Sequence, residues 1–192
     1  MTTLLLTSAD APPSKVTLSD DELDQLLDRT GAEFIDGQLM EKSMGLESEG
    51  IGSELQGMLW AYVHANRLGR VFGPATPYRC FPDDPRQVRK PDVSFVAAAR
   101  LPAGRLPRGS AHFAPDLAVE VVSPTDKIED LERKIADYRS AGVRLIWVVN
   151  PATRSVLIRR LDRTCSELDE SGSLDGEDVV PGFTCRVAEL FV

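Results

Sequence analysis

The chain has 192 residues, of which 42% are hydrophobic and 27% charged, as expected for one globular domain that buries its own core. No apolar run approaches the roughly 18 residues needed to cross a bilayer, and three cysteines without CxxC spacing favour reduced thiols in a cytoplasmic protein. The net charge of −8 argues against a protein that coats nucleic acid non-specifically, because such binding depends on neutralising phosphates.

The charge is distributed unevenly along the chain. Residues 79–108 contain seven basic and three acidic side chains and carry +4, so the remaining residues carry −12. Asp92 lies inside this basic segment. The segment is either a basic surface around Asp92 or a solvated loop, and both interpretations stay open.

The N-terminal elements are predicted from capping and turn signals. Residues 1–15 lack periodicity and resemble a disordered lead-in to a single domain over 16–192. Hydroxyl side chains up to Ser19, followed by acids, predict the start of a short helix. Asp-Gly at 36–37 between apolar residues predicts a β-hairpin.

A longer helix is predicted over 47–66 from the helical spacing of apolar residues, and Gly69 would end it. Three short strands are predicted after it, at 70–73, 77–81 and 92–96. Residues 100–114, rich in Gly, Pro and Arg, are predicted to form a loop.

The C-terminal half predicts a βαβ unit followed by a shorter strand. The elements are a strand over 116–123, a helix over 126–141 closed by Gly142, a buried strand over 143–149, an edge strand over 156–161 and a short helix over 187–191. Together with the earlier elements, this order predicts a mixed sheet flanked by helices, and hence an α/β or α+β fold.

Glu120 is the most informative residue of the chain. It interrupts the apolar run Val119 to Val122, where a carboxylate costs free energy unless a metal, a proton or a cation compensates it. Strand alternation places it on the face opposite Val119 and Val121. Glu120 is therefore predicted either as a metal ligand or as a buried acid paired with an arginine.

Asp92 and Lys134 are the predicted partners of Glu120. Asp92 follows Pro91 at the start of a strand, where it is either a cation ligand or a turn residue. Lys134 lies at the margin of the apolar stripe of its helix, formed by Ile128, Leu131, Ile135 and Tyr138. It could reach over the end of the sheet, or it could form an ordinary i,i+4 ion pair with Asp130.

Two carboxylates suffice for a magnesium site, because Mg²⁺ prefers oxygen ligands and keeps several waters. The backbone carbonyl of Val121 is a further candidate ligand, and Glu47 and Glu54, in the first part of the long helix, are candidate acids. Dipole stabilisation at a helix N-terminus explains Glu47 equally well. No GxxxxGK[ST] or GxGxxG sequence is present, which argues against ATP or dinucleotide use.

Several segments resemble the Uma-type family of putative restriction-endonuclease-like proteins, a branch of the PD-(D/E)XK nuclease superfamily. The resemblance extends in order over roughly residues 18–192. It rests on the Asp-Gly hairpin and long helix, Lys90-Pro-Asp-Val93, Pro115 to Pro124, Asp130 to Lys134, Tyr138, Ala141-Gly-Val143, Trp147 to Pro151 and Pro181-Gly-Phe183.

The resemblance implies a restriction-endonuclease-like core with a central mixed sheet flanked by helices. It assigns Asp92 as the first acid and Glu120 as the second. The lysine usual in the superfamily would fall on Val122, and in this branch it is displaced to Lys134. A Glu-His pair that often starts the long helix is half present here, since Ser48 follows Glu47.

The expected function is metal-dependent hydrolysis of DNA by an endonuclease that uses Mg²⁺ or Mn²⁺, with Asp92, Glu120 and Lys134 at its catalytic centre. A homodimer is expected because cleavage of both strands suits a two-fold enzyme. The alternative is a catalytically inactive binding or interaction module that retains the nuclease fold. The acidic net charge favours this alternative, and the three site residues favour the enzyme.

Overall fold

The computed structural model describes residues 18–41, 45–103, 106 and 108–191, and the predicted lead-in lies outside them. The helices are α1 (Asp20–Thr30), α2 (Leu46–Asn66) and α3 (Ile128–Ser140), and two short 3₁₀ helices span Ala98–Arg100 and Val187–Phe191. The strands are β1 (Glu33–Ile35), β2 (Gln38–Met40), β3 (Gly69–Phe72), β4 (Val93–Ala97), β5 (Leu117–Val121), β6 (Leu145–Asn150), β7 (Ser155–Arg160), β8 (Cys165–Leu168), β9 (Ser173–Asp175) and β10 (Thr184–Arg186).

Six strands form one mixed sheet in the order β3-β4-β5-β6-β7-β8. β5 and β6 run parallel and are connected through α3, whereas the other neighbouring pairs of this sheet are antiparallel. The hairpins β1–β2 and β9–β10 form separate two-stranded sheets. The predicted mixed α/β fold with a βαβ unit is confirmed. Within the described ranges, no helix has the length and apolarity that a bilayer crossing requires.

Alternation along β5 divides its side chains between two cores, as predicted. Leu117, Val119 and Val121 pack in the core beneath α2, and Ala118 packs in the core beneath α3. Glu120 lies two residues after Ala118, on the same face of β5, and therefore projects towards α3. β5 is the third of six strands, so Glu120 lies on a central strand of the sheet.

The first helix and the hairpin form where the capping and turn signals predict them. The Ser19 side chain accepts a hydrogen bond from the Glu22 backbone N–H, and the Glu22 carboxylate accepts one from the Ser19 N–H. In the hairpin, Asp36 and Gly37 both adopt positive φ, at 51° and 77°, as a tight two-residue turn requires.

The predicted role of Gly69 as the end of α2 is wrong. The helix ends at Asn66, and Arg67 caps it in the left-handed conformation with φ 55°. Gly69 instead begins β3, where a Cβ would overlap the carbonyl oxygen of Val96 on β4. The glycine is therefore required for the close approach of two strands rather than for a helix end.

Two strand predictions and one packing prediction are also wrong. Residues 77–81 form no ladder in the described structure beyond isolated bridges from Tyr78 to Arg89 and Ala111. The strand predicted over 156–161 is not an edge, since β8 pairs with its outer side. Ile128, placed in the apolar stripe of α3, is 78% exposed because it is the first residue of the helix.

Candidate active site

A cavity of about 390 Å³ lies at the C-terminal end of β5. We call it the β5 cavity. The hairpin β1–β2, the residue before β4, the end of β5 and the first part of α3 contribute to its walls. Its lining residues are Glu33, Ile35, Asp36, Gln38, Met40, Glu41, Arg89, Asp92, Glu120, Val121, Asp126, Asp130, Arg133 and Lys134. Four of the six candidate site residues therefore line it, and Glu47 and Glu54 are the exceptions.

Glu120 is buried and accepts hydrogen bonds from two side chains of α3. The Tyr138 hydroxyl donates to Oε1 at 2.5 Å, and the Lys134 ammonium donates to Oε2 at 3.1 Å. Lys134 is 14 residues from Glu120 in sequence, and the packing of α3 on the sheet brings them together. The partners of the buried acid are thus a lysine and a tyrosine rather than an arginine, and Lys134 pairs with Glu120 rather than with Asp130.

The electrostatics of this trio keep both donors protonated. Burial lowers the pKa of Lys134, but the negative charges of Glu120 and Glu33 outweigh it and raise the pKa above its ordinary value of 10.5. Burial, followed by the charge of Glu120, raises the pKa of Tyr138 well above its ordinary value of 10.0. Lys134 is therefore a cation and Tyr138 a neutral donor throughout the physiological pH range.

Asp92 connects the start of β4 to the end of β5. Its backbone N–H donates to the Val119 carbonyl at 2.9 Å, and its Oδ2 accepts a hydrogen bond from the Val121 N–H at 2.6 Å. In a strand, the N–H and C=O groups of one residue point to the same side. The Val121 carbonyl therefore faces the side on which Asp92 lies, which is the placement expected of a third oxygen donor.

The acids of α2 lie away from the β5 cavity. Glu47 and Glu54 are exposed, neither lines the cavity, and Glu47 interacts electrostatically with Arg154 instead. The neighbouring residue, Ser48, is buried and donates from Oγ to the Val122 carbonyl at 3.1 Å. The start of α2 therefore fixes the end of β5 through Ser48, and Glu47 has no role in the geometry of the cavity.

Glu33 is a cavity carboxylate that the sequence analysis missed. It is 3% exposed, and its two oxygens accept hydrogen bonds from the Lys90 backbone N–H at 2.8 Å and from Arg89 at 3.0 Å. Arg89 also donates to Asp137 of α3. The available signal was the one used for Glu120, an acid inside an apolar strand, but a three-residue strand makes it weak.

The basic segment 79–108 is neither a solvated loop nor a continuous basic surface over its described residues. Three of its cations are buried and bind internal partners: Arg79 with Asp20 and Asp24, Arg89 with Glu33 and Asp137, and Lys90 with the Leu27 carbonyl. Arg100 pairs with Asp116. These ion pairs and hydrogen bonds connect α1, the hairpin and α3 to the sheet. The net charge of +4 for residues 79–108 therefore does not correspond to a positively charged surface.

The β5 cavity itself is acidic. Its lining contains seven carboxylates and three cations, a formal charge of −4. Carboxylate and carbonyl oxygens are the donors that Mg²⁺ and Mn²⁺ prefer. Among the described residues, no group of three or more His, Cys, Asp or Glu side chains is arranged to hold a metal ion. The donor set of two acids and one carbonyl fits an ion that keeps several waters.

Comparisons with known proteins agree with this architecture. The model of a family described as "Uma2: Putative restriction endonuclease" matches residues 20–188. The crystal structure of a putative nuclease belonging to DUF820, from Anabaena variabilis, aligns with a TM-score of 0.73 at 22% identity, over 88% of this chain and 96% of that chain. No curated protein sequence matches the chain. The structural likeness establishes a restriction-endonuclease-like fold.

Proposed function

Because the chain belongs to the Uma2 family of putative restriction endonucleases, we propose that it is a metal-dependent endonuclease that hydrolyses DNA phosphodiester bonds. The observation that supports this proposal is the meeting of Asp92, Glu120 and Lys134 in one acidic cavity at the end of a central strand. Two carboxylates beside a protonated lysine provide what metal-assisted hydrolysis of a phosphodiester needs. Fold similarity alone would not support an activity.

Asp92, Glu120 and the Val121 carbonyl would hold Mg²⁺, or Mn²⁺ in its place. When bound, the ion would polarise a phosphoryl oxygen and lower the pKa of a coordinated water. The formal charge of −4 in the β5 cavity favours a divalent cation and repels a bare phosphate. The residues therefore predict that the protein binds the scissile phosphate weakly unless a divalent cation is present.

Lys134 and Tyr138 would act on the water and on Glu120, respectively. The ammonium of Lys134 can orient the attacking water and stabilise negative charge that develops on the phosphate. Because the negative charges of Glu120 and Glu33 raise its pKa, Lys134 is an ammonium before a cation binds. Tyr138 holds Oε1 of Glu120, so the cation would bind at Oε2 in place of the Lys134 ammonium.

The test is cleavage of supercoiled plasmid DNA with Mg²⁺ or Mn²⁺. We expect Asp92→Asn, Glu120→Gln and Lys134→Met each to lower the cleavage rate by about 100-fold or more. Glu47→Gln is the matched control, because Glu47 is an exposed acid outside the β5 cavity and the change should leave the rate unaltered. A wild type that cleaves no nucleic acid, or site variants that cleave as well as the wild type, would support the alternative of a nuclease-fold binding module.

We also propose a homodimer, since cleaving both strands of a duplex suits two active sites related by a two-fold axis. Light scattering on the purified protein measures the mass directly. A monomer that nevertheless cuts both strands would contradict this part of the proposal.

A cytoplasmic location is proposed from the cysteines. Cys80, Cys165 and Cys185 are free thiols. Burial raises the pKa of Cys80 to about 12 and that of Cys185 to about 11, so both stay protonated and unreactive. Free thiols are usual in a reducing compartment.

A further inference from the structure

A second concavity, of about 750 Å³, lies at the C-terminal end of α2. We call it the α2 groove. It runs between α2, β3 and the 3₁₀ helix that follows β4. Its lining residues are Trp60, Val63, His64, Arg67, Gly69, Arg70, Val71, Phe72, Ala98 and Leu101. The lining contains two arginines and no carboxylate, although the chain carries a net charge of −8.

The two arginines of the α2 groove are available for a ligand. Both are exposed, and among the ion pairs between described residues none includes Arg67 or Arg70. The chain has 30 acidic residues that could have neutralised them. Arg79 and Arg89 differ, because each is buried against two carboxylates.

Trp60 gives the α2 groove an aromatic surface. Its side chain is 55% exposed and stacks on His64, with ring centroids 5.0 Å apart and planes at 6°. The histidine supports one face of the indole and leaves a large part of the ring open. The other tryptophan, Trp147, is fully buried in the core. An exposed, supported aromatic ring beside unpaired cations is the combination on which nucleic-acid bases stack.

We propose that the α2 groove binds a short single-stranded segment of nucleic acid, with a base stacked on Trp60 and phosphates paired with Arg67 and Arg70. Arginine is suited to this task because its planar guanidinium binds phosphate oxygens in a bidentate manner. The proposal rests on the proposed function, for which the groove supplies a strand contact outside the β5 cavity. The positive groove complements a polyanion, whereas the cavity needs a metal for the same purpose.

The α2 groove is separate from the β5 cavity. Ser48 contacts the end of β5 at the start of α2, and His64 lies roughly 24 Å further along the helix. The N-terminal half of α2 exposes Glu49 and Glu54, which repel phosphate. The favourable region is therefore confined to the C-terminal end of α2, which suits a segment of a few nucleotides and leaves the metal site untouched by substitutions in the groove.

Trp60 itself reports occupancy of the groove. The full-length protein is titrated with an oligothymidylate, and separately with oligouridylate, in EDTA without divalent cations. We expect saturable quenching of tryptophan emission, because a stacked base quenches the exposed Trp60. The emission of the buried Trp147 should not change. Absence of saturable quenching with both oligonucleotides would overturn the proposal.

Substitutions then test the phosphate contacts. For the double variant Arg67→Gln, Arg70→Gln, we expect weaker binding and a slope of log K against log salt that is smaller by about 1.4, since each phosphate contact on a single strand contributes about 0.7. Arg163→Gln is the matched control. Arg163 is an exposed arginine with left-handed φ, like Arg67, but it lies between β7 and β8 at the opposite edge of the sheet. A slope unchanged by the double variant, or lowered equally by the control, would contradict the phosphate contacts.

The stacking contact is tested with a labelled oligonucleotide, because Trp60→Ala removes the reporting fluorophore and leaves only the buried Trp147. Anisotropy should show that Trp60→Ala binds about 5- to 100-fold more weakly. If Trp60 emission instead shifts with protein concentration alone, and sedimentation shows a dimer, the groove is occupied by a second copy of the chain and the proposal is wrong.

The outcomes separate the groove from the catalytic proposal, since binding is measured without metal. Oligonucleotide binding at Trp60 without plasmid cleavage would refute the endonuclease and keep the groove. Plasmid cleavage without any change at Trp60 would refute the groove and keep the endonuclease.

Discussion

Glu120 offers its two carboxylate oxygens to two different kinds of donor. Oε1 accepts from the neutral hydroxyl of Tyr138, and Oε2 accepts from the ammonium of Lys134. A divalent cation at Oε2 would repel the ammonium but not the hydroxyl. Tyr138 is therefore the fixed partner of Glu120, and Lys134 is the partner that a metal ion would displace towards the substrate.

This division predicts that Lys134→Met binds Mn²⁺ more tightly than the wild type while it loses cleavage. Removal of a competing charge at about 4 Å should raise the affinity at least about fivefold, or roughly 1 kcal/mol. Because burial is outweighed by the charges of Glu120 and Glu33 and the pKa of Lys134 is raised, the ammonium is present at neutral pH, where the affinities of the two proteins are compared. Calorimetric titration with Mn²⁺ measures the difference in affinity between the two proteins. Equal or weaker binding by the variant would show that Lys134 does not compete with the ion for Glu120.

At the scale of elements, two arginines connect the β1–β2 hairpin to its surroundings in different ways. Arg89 is 3% exposed and bridges Glu33 of β1 to Asp137 of α3. Arg133 of α3 pairs with Asp36 in the hairpin turn at 3.4 Å, with both side chains mostly exposed. The two pairs join the same elements, one inside the protein and the other in water.

Because the two arginines differ in burial, replacing each by methionine should lower the free energy of unfolding by different amounts. Arg89→Met leaves two carboxylates without their cation and should lower the free energy of unfolding by about 3–5 kcal/mol. Arg133→Met should lower it by less than about 1 kcal/mol, because an exposed ion pair contributes little. Urea denaturation of both variants provides the comparison. Similar losses would mean that the hairpin is not held through Arg89.

Elements with strong local signals formed where the sequence predicts them. α1, the hairpin, α2 and the β5–α3–β6 unit have capping, turn or periodic patterns within a single stretch of chain. β8 (Cys165–Leu168) was missed because half of a four-residue strand faces solvent and no apolar run marks it. β8 forms because it pairs with β7, and no pattern within the four residues predicts that pairing.

At the scale of the whole molecule, charge is sorted by position. The residues that line the β5 cavity carry a formal −4, whereas those that line the α2 groove include no acid and two arginines without an ion pair to any described residue. The total of −8 hides this separation. This separation is the basis for our two proposals, a metal site near one end of α2 and a contact for a phosphate strand at the other.

The acidic cavity predicts that divalent cations stabilise the folded protein. Binding to the native state alone adds about 2.7 kcal/mol to the free energy of unfolding when the ion is at 100 times its Kd. Thermal unfolding should therefore shift upward with Mn²⁺ or Mg²⁺ for the wild type and not for the double variant Asp92→Asn, Glu120→Gln. KCl at matched ionic strength is the control, and an equal shift with KCl would assign the effect to charge screening.

The sequence by itself determined the fold class and the alternation of β5 and marked Glu120, because apolar periodicity and a misplaced acid are local properties. Asp92 and Lys134 were candidates that the family resemblance then assigned to the same site. The tertiary structure decided which carboxylates share the β5 cavity. In the structure, Glu47 lies outside the β5 cavity and Glu33 lines it, and buried cations of the basic segment pair with carboxylates of other elements. These contacts join distant parts of the chain, so they depend on how helices and strands pack. It also decided that Tyr138, which the sequence marks as an apolar stripe residue, donates to Glu120, because the direction of a hydroxyl appears only when α3 lies on the sheet.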